Sequence, residues 1–280
     1  MFRPMYTAVT GLRSHSRWMD SIANNIANIN TPAYKSTVTR FSDALAQTLW
    51  LSNAPSATSL GSVGAQVGLG SKVSGLLPAF SQGPLETTQS VTDMAIEGDG
   101  FFIVSDFVTG TELYTRAGNF VTDVNDYLVT PDGLRVQGAA SLPSAALTDV
   151  QIQSTIPGDP MLSFSISPSG VVTVLTESGA SVDVAQIALE RFSCPWALEK
   201  AGNNLYRSNN ACGPIFGATQ YESPGTFGLG KVRPGFIEMS NVDLAYEMST
   251  MILSQRGFQA NTRAITASDE MLQEVVNLKR

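Results

Sequence analysis

The two ends of the chain carry the same spacing of apolar residues, and this feature constrains the fold more than any other. Near the N-terminus the apolar residues alternate steps of three and four, with Ser16 at the one gap, and they include Met5, Val9, Leu12, Met19 and Ile26. Near the C-terminus the same spacing recurs at Leu244, Met248, Met251, Phe258, Ile265, Leu272 and Val276. A helix shows a repeat of about 3.5 residues when it buries a narrow stripe against another helix. The sequence therefore predicts two terminal helices whose stripes make helix–helix and subunit contacts.

Local signals place the ends of both helices. The first should begin near Arg3-Pro4, since proline is tolerated in a first turn, and end near Pro32, since the residue before a proline leaves the α region. The second should begin at Ser240, which Asp243 follows in a capping-box-like arrangement, and continue to the end of the sequence. A helix of that length exceeds what a small β domain can cover, so we expect it to pack on the first helix and on other subunits.

The middle of the chain has the pattern of an antiparallel β domain. Short apolar runs alternate with turn residues, and the runs lie at 101–104, 113–115, 119–122, 127–129, 134–137, 163–166, 171–175 and 187–189. The turns carry Gly100, Gly133, Gly170 and Gly179, each after Asp or Ser. The predicted fold class is α+β, with N- and C-terminal helices paired as a coiled coil and an antiparallel β-rich domain between them.

Three domains follow from these patterns. Residues 1–32 and 240–280 form a helical coiled-coil domain, and residues 72–239 form the β-rich outer domain. Residues 33–71 lose periodicity, and Phe41–Leu51 can form a short helical or extended piece. Ser52–Gly70 consists largely of Ser, Ala, Gly and Thr, and a segment with so little to bury becomes ordered only through contacts made elsewhere. We therefore expect either a linker that becomes ordered on assembly or an extended arm that lies on a neighbouring subunit.

The composition of the chain limits the classes of function that it can have. The net charge of −7 and a sequence pI of about 4.7 argue against a nucleic-acid partner, and no stretch approaches the length of a transmembrane helix. The start of the sequence lacks an apolar run typical of a cleavable secretory signal. Charged residues make up only 15%, which suits a protein that packs against its own copies and suits a secreted β protein nearly as well. Cys194 and Cys212 can form a disulfide or remain two small thiols, and the sequence leaves both open.

Residues for catalysis are sparse. His15 is the one histidine of the sequence, no nucleophile motif accompanies it, and the cysteines have no histidine partner for zinc. Carboxylates such as Asp123, Asp126 and Glu190 have no spacing that marks an acid–base pair. We expect no catalytic residues, no cofactor, no metal site and no enzyme activity. A secreted β-rich hydrolase and an adhesin are the alternatives from other functional classes.

One motif links the chain to a known family. The run from Asn24 to Lys35 resembles the N-terminal signature of the bacterial flagellar rod and hook axial proteins, with matching residues at Asn24, Asn25, Ala27, Asn28, Thr31, Tyr34 and Lys35. Ala33 stands where the family usually has glycine, and Tyr34 where it usually has phenylalanine. Glycine tolerates positive φ, so the turn at Ala33 is expected to differ slightly.

Further blocks extend the resemblance along the chain. They are residues 95–102, 114–120, 133–138, 202–206, 240–244, 255–261 and 272–280. The blocks at 202–206 and 241–244 and the ending at 276–280 resemble hook proteins, whereas the segment at 49–70 and the modest length resemble the distal rod. We favour the hook, with the distal rod as the alternative.

The resemblance implies how such a protein works. A flagellar axial subunit is exported by the type III export apparatus and polymerises into a hollow helical tube that transmits torque. The terminal helices would line the tube and the β domain would lie outside. The implied partners are further copies of the chain and adjoining axial proteins (rod, hook cap and hook–filament junction).

Overall fold

The structure is a computed structural model that describes residues 2–52, 61, 63–107, 110–139, 147–153, 161–213 and 221–278. Two compact units divide the chain. The helical unit comprises Met1–Ala27, Thr37–Ala79 and Val242–Arg280, and the sheet unit comprises Asn28–Ser36 and Phe80–Asn241. Both terminal helices thus belong to one unit and the large β-sheet to the other. This is an α+β fold, as the sequence predicts.

The described residues of the helical unit form two helices and four strands. Helix α1 spans Phe2–Ala27 and helix α2 spans Leu244–Asn277. The strands are β1 (Thr37–Asp43), β2 (Ala46–Trp50), β3 (Ala65–Gly68) and β4 (Ser71–Pro78). Strand β1 pairs antiparallel with β4, and β2 pairs antiparallel with β3.

The two helices lie antiparallel and touch along most of α1. A Cβ added to Gly11 would lie 2.9 Å from Asn261, and one added to Gly257 would lie 2.5 Å from the imidazole of His15. At the other end of α1, Asn25 donates to Glu247 over 2.9 Å. This register leaves the last two turns of α2 beyond the start of α1. Direct packing of the helices is observed, while the geometry of a coiled coil remains a prediction.

The start of α2 differs from the predicted one. The N-cap is Asp243, whose side chain accepts hydrogen bonds from the backbone N–H groups of Ala245 and Tyr246. Ser240 is buried and precedes the helix by four residues. A carboxylate at the N-cap accepts hydrogen bonds from two backbone N–H groups that have no partner within the helix. Its negative charge also interacts favourably with the positive end of the helix dipole. Asp243, which was expected to follow a Ser240 cap in a capping box, is therefore itself the N-cap of the helix.

Strands occupy part of the segment in which the sequence predicts an extended arm. The β1–β4 pair packs on α1, where Ser14 donates to the Ser71 carbonyl and Ser21 to the Thr37 carbonyl. Trp18 stacks edge-on against Phe41, with ring centroids 5.5 Å apart. Strand β1 pairs with residues 28 to 41 positions later, so local periodicity gives no sign of it. Residues 53–60 and 62 of the predicted arm lie outside the described residues.

Where the structure describes it, the sheet unit has sixteen further strands. They are β5 (Leu85–Thr87), β6 (Met94–Glu97), β7 (Phe101–Ser105), β8 (Glu112–Thr115), β9 (Val121–Thr122), β10 (Leu128–Val129), β11 (Arg135–Ala139), β12 (Thr148–Asp149), β13 (Met161–Ile166), β14 (Val171–Thr176), β15 (Ser181–Ile187), β16 (Leu189–Glu190), β17 (Glu199–Gly202), β18 (Leu205–Arg207), β19 (Lys231–Pro234) and β20 (Phe236–Glu238). The main sheet has the order β13-β14-β15-β11-β7-β8-β18-β17. Strand β6 pairs with β19, and β5 pairs with β20.

Strand β7 is covered on both faces. Phe102 and Val104 point into one hydrophobic cluster, and Phe101 and Ile103 point into a second, as the alternation along a strand requires. The first cluster is mostly aliphatic, whereas the second is rich in aromatic rings. This explains why 101–104 reads as a continuous apolar run and not as an alternating one.

Three predicted turns join paired strands. Gly133 connects β10 to β11, Gly170 connects β13 to β14 and Gly179 connects β14 to β15, each with positive φ. Gly100 also has positive φ, but the strands on either side of it pair with other strands. The antiparallel β domain predicted from these turns is confirmed.

Candidate assembly surfaces and the motif junction

The helical half of the family motif joins three segments of the helical unit through Asn25. Its side-chain amide donates to the Thr37 carbonyl over 3.1 Å and to Glu247 over 2.9 Å, and its oxygen accepts from the Thr37 backbone N–H over 2.9 Å. Asn25 is buried, whereas Asn24 and Ala27 are exposed. Burial and loss of water raise the pKa of Glu247, against the opposing hydrogen bond from Asn25. A buried amide with three partners fixes α1, β1 and α2 to one another.

The second half of the motif begins with a tight turn in the sheet unit. Thr31 donates through both its backbone N–H and its hydroxyl to Asn28. Ala33 follows with φ of 56°, which is the left-handed region that glycine adopts more readily. Its N–H donates to the Glu238 carbonyl over 2.7 Å. The chain therefore adopts positive φ at this turn despite carrying alanine.

The motif ends in a fully buried ion cluster. The Lys35 ammonium lies 2.6 Å from Glu238 and 2.7 Å from the Ser81 carbonyl, and Arg116 reaches the other oxygen of Glu238 at 3.4 Å. The Lys35 and Glu238 side chains are both 0% exposed. Burial lowers the pKa of Lys35, and the nearby Glu238 opposes that shift. The Gly83 backbone N–H adds a further donor to Glu238 at 2.8 Å.

These contacts define what we call the motif junction, formed by residues 31–36, 81–84 and 236–241. Asn241 is its second connector: it accepts from the Ser36 N–H over 2.8 Å, and its amide donates to Ser81 over 2.9 Å. Tyr34 is buried and lies 5.4 Å from the Lys200 ammonium. The buried motif residues Asn25, Tyr34 and Lys35 thus make contacts inside their own units, so a surface for other chains must lie elsewhere.

The predicted stripe of α1 does not coincide with its buried face. Met5, Val9, Leu12, Met19 and Ile26 are all half-buried. The fully buried positions are instead Ala8, Ser14, Ser21, Ile22 and Asn25. Small and polar residues let the backbones of α1, α2 and β1 approach closely, and a hydropathy pattern gives such residues no weight. The assembly role of the five predicted residues remains a prediction.

The predicted stripe of α2 divides into two groups. Met251, Phe258, Ile265 and Leu272 are half-buried, whereas Leu244, Met248 and Val276 are 43%, 47% and 68% exposed. The buried positions of the helix were missed; they are Glu247, Ser254 and Ser268, and the half-buried Asn261 completes their seven-residue spacing. That heptad repeat of polar residues is the signal that could have found them. Ser254 donates to the His15 carbonyl over 3.1 Å and so contacts α1 directly.

The helical unit exposes many large apolar side chains. On α2 and at its C-cap they include Tyr246, Ile252, Leu253, Met271, Val275 and Leu278. On the β2–β3 pair and its flanks they include Leu45, Leu49, Trp50, Leu51 and Val63. Apolar groups at this density mark surfaces that another chain covers. They form the candidate assembly surface of the molecule.

Residues that were considered for catalysis take part in the packing of the fold. His15 packs against Trp18 and Phe41 beside Gly257, and its buried Nδ1 has no hydrogen-bond partner in the part of the chain that the structure describes. Glu190 is 2% exposed, and burial raises its pKa to about 8, so this acid is enclosed and out of reach of a substrate. Within the described ranges no group of three acidic, His or Cys residues could hold a metal ion. Within the same ranges, neither helix has the length and hydropathy of a membrane span.

Three family models match separate parts of the chain. A model described as flagella basal body rod protein matches residues 5–35, and one described as flagellar hook protein FlgE/F/G D1 domain matches residues 95–174. A third, described as flagellar basal body rod FlgEFG protein C-terminal, matches residues 233–278. The first and third cover the two helices together with the motif and its junction partner at 236–241.

Whole-length relatives give the same result. The chain is 40% identical over 280 residues to the flagellar basal-body rod protein FlgG of Bacillus subtilis, with 100% of both chains covered. It is 37% identical over 282 residues to FlgG of Borreliella burgdorferi, again with 100% of both covered. It is 24% identical over 449 residues to the flagellar hook protein FlgE of Borreliella burgdorferi, with 100% of both covered.

Proposed function

Because the chain belongs to the family of flagellar rod and hook axial proteins, we propose that this structural protein is a subunit of the distal rod of the basal body. In this proposal the subunit polymerises with its own copies into a hollow helical tube that transmits torque. The motif junction stabilises the sheet unit of each subunit, and the exposed apolar side chains of the helical unit are covered by neighbouring copies. The helical stripes pair as a coiled coil and line the tube.

The rod, and not the hook, is supported by a comparison within one organism. The chain shares 37% of its residues with the rod protein of Borreliella burgdorferi and 24% with the hook protein of the same bacterium. The alignment with the rod protein spans 282 residues, while that with the hook protein spans 449. The preference for the hook, drawn from the blocks at 202–206, 241–244 and 276–280, is therefore not supported. Short blocks shared by rod and hook proteins cannot separate the two.

Polymerisation is supported by the exposed surface of α2. Its register against α1 places Met271, Val275 and Leu278 beyond the start of α1, and they are 53%, 44% and 85% exposed. An isolated helix end with apolar side chains in water gains stability only from a partner. A neighbouring copy is the partner that a homopolymer supplies. Adjoining rod and hook components would cover the same surface at the two ends of the tube.

The remaining expectations belong to the same proposal. The subunit would leave the cytoplasm through the flagellar export apparatus and would act in the basal body. The arm around residues 52–70 would lie on a neighbouring copy and limit its sliding. No observation favours a hydrolase or an adhesin over this assembly role.

The test compares cells that lack the chain with cells that express it again. A missing rod subunit should leave basal bodies without a distal rod and without any hook, as seen by electron cryotomography, and should abolish motility. Loss of a hook subunit would instead leave complete rods that carry no hook, and that result would contradict the rod assignment. Electron microscopy of the concentrated purified protein should also show tubes, and their absence under all conditions would contradict homopolymerisation.

A further inference from the structure

The two cysteines of the chain lie side by side in the sheet unit. The Cys194 backbone N–H donates to the Cys212 carbonyl over 3.1 Å, and the preceding Ser193 N–H donates to the Gly213 carbonyl over 3.0 Å. Given standard backbone bond lengths, a single N–H···O bond of this length holds the two Cα atoms within about 7 Å of each other. Disulfides form between residues whose Cα atoms are about 4.4–6.8 Å apart. The backbone spacing therefore suits a bond between these two residues.

The structure describes both residues as free thiols in different surroundings. Cys212 is 1% exposed and packs in the aromatic cluster, where its thiol donates to Asn209 Oδ1 over 3.1 Å. Cys194 is half-buried and precedes the 3-10 turn Pro195–Ala197. An external reagent can therefore reach Cys194 more easily than Cys212.

We propose that Cys194 and Cys212 are a dithiol–disulfide pair that is oxidised in two steps by an external disulfide. The Cys194 thiolate attacks one sulfur of the external disulfide, forms a mixed disulfide and releases one thiol. The Cys212 thiolate then attacks the Cys194 sulfur and releases the second thiol. The protein loses two protons and two electrons, and the external disulfide becomes two thiols. Cys194 is the entry residue and Cys212 the resolving residue.

The bond would close the segment between the two cysteines into a covalent loop. That loop contains the 3-10 turn and strands β17 and β18, and β18 pairs with β8 of the main sheet. Cross-linking restricts the unfolded chain more than the folded one. Oxidation should therefore raise the thermal midpoint of the sheet unit, by about 5–10 °C for a loop and a protein of this size. This inference does not depend on the flagellar assignment, since it concerns one unit of a single chain.

Peptide mapping of the full-length protein tests the proposal. The reduced protein is incubated with oxidised glutathione and digested with trypsin without reductant. Cleavage places Cys194 in peptide 192–200 and Cys212 in peptide 208–231. We expect these two peptides to appear as one linked species that lacks two hydrogen atoms and separates on reduction. Two unlinked peptides that retain their thiols under excess glutathione disulfide would overturn the proposal.

Single variants test the order of attack. Cys212→Ser should accumulate one glutathione on Cys194, because the resolving thiol is missing. Cys194→Ser should leave Cys212 unmodified in the folded protein and reactive after denaturation. Fast modification of Cys212 in folded Cys194→Ser would overturn the assigned order, and linkage found only between two chains would overturn the intramolecular bond. The wild-type peptide map stands on its own if either variant fails to fold.

Discussion

The helical unit and the sheet unit differ in where their apolar side chains lie. Among the described residues, both hydrophobic clusters belong to the sheet unit, and the helical unit buries only Ala8 and Ile22 completely as apolar side chains. The helical unit nevertheless exposes twenty large apolar side chains against nine in the sheet unit, although it has fewer residues. One unit is completed by its own core, and the other has an apolar surface that a neighbour would complete.

The two units also differ in which polar groups they bury. In the helical unit the seam between the helices is filled by small or polar residues such as Ser254, Ser268 and Asn25. In the sheet unit the buried polar groups include the ion cluster of Lys35, Glu238 and Arg116, and Glu190 lies buried beside the aromatic cluster. Small residues allow close contact but bury little apolar area, so the helix pair by itself gains little stability. We therefore expect assembly and monomer stability to depend on different units.

The largest expected effect is the loss of assembly when a charge enters the helix seam. Phe258→Asp or Ile265→Asp places a carboxylate at a half-buried position of α2, at a cost of several kcal/mol if it stays unpaired. Tubes should disappear in electron micrographs and motility should be lost. The circular dichroism of the sheet unit should persist, because neither residue belongs to it.

Gln259→Asp is the matched control for this prediction. It places the same charge one residue further along α2, at an exposed position. The control should assemble like the wild type. If all three variants form tubes, the seam has no role in assembly and the contrast between the units is lost.

The sequence predicts the sheet unit better than the helical unit. Hairpins such as β13–β14–β15 are local, and Gly170 and Gly179 mark their turns, so each could be recognised within a short window. Met251, Phe258 and the residues that continue their seven-residue spacing form one half of the α2 seam. This half could be found from the sequence because those side chains are apolar. The ends of both helices were predicted to within a few residues.

The rest of the fold and of the site depends on contacts between distant residues. Strand β1 is recognisable only with β4, and Lys35 acquires its role from Glu238, about two hundred positions later. The α1 seam consists of Gly11, His15 and small neighbours, whose packing depends on shape and not on hydropathy. The motif identified the family, but the sequence alone did not show that its residues are buried connectors.

The second prediction tests whether the sheet unit is stable through its own interior. Lys35→Met leaves Glu238 buried with one charged partner fewer, and removal of one member of a buried ion pair costs about 3–5 kcal/mol. The free energy of unfolding, measured by urea denaturation of the unassembled protein, should fall by that amount. Lys231→Met, at an exposed position of β19, should change it by less than about 0.5 kcal/mol. Equal losses in both variants would remove the ion cluster as a determinant of stability.

The third prediction concerns how the free energy of unfolding depends on pH. Glu190, in the interior of the sheet unit, should cause that dependence. Glu190 lies beside the Tyr114 hydroxyl, with Glu112 nearby, and loss of water raises its pKa from 4.5 to about 8. The folded protein then binds a proton that the unfolded chain releases between these two pH values. Its contribution to stability is fully present below pH 4.5 and is lost as the pH rises to about 8.

Glu190→Gln should remove this dependence, because glutamine resembles the protonated acid and cannot ionise. At pH 9 the variant should be more stable than the wild type by roughly 2–4 kcal/mol, and at pH 4 the two should differ by less than about 1 kcal/mol. Urea denaturation at pH 4, 6, 7.5 and 9 measures both quantities. Glu177→Gln, at an exposed position after β14, should follow the wild-type profile throughout. A wild-type stability that rises between pH 6 and 9 would contradict a buried, protonated Glu190, and a Glu190→Gln profile parallel to the wild type would place the pH dependence in another residue.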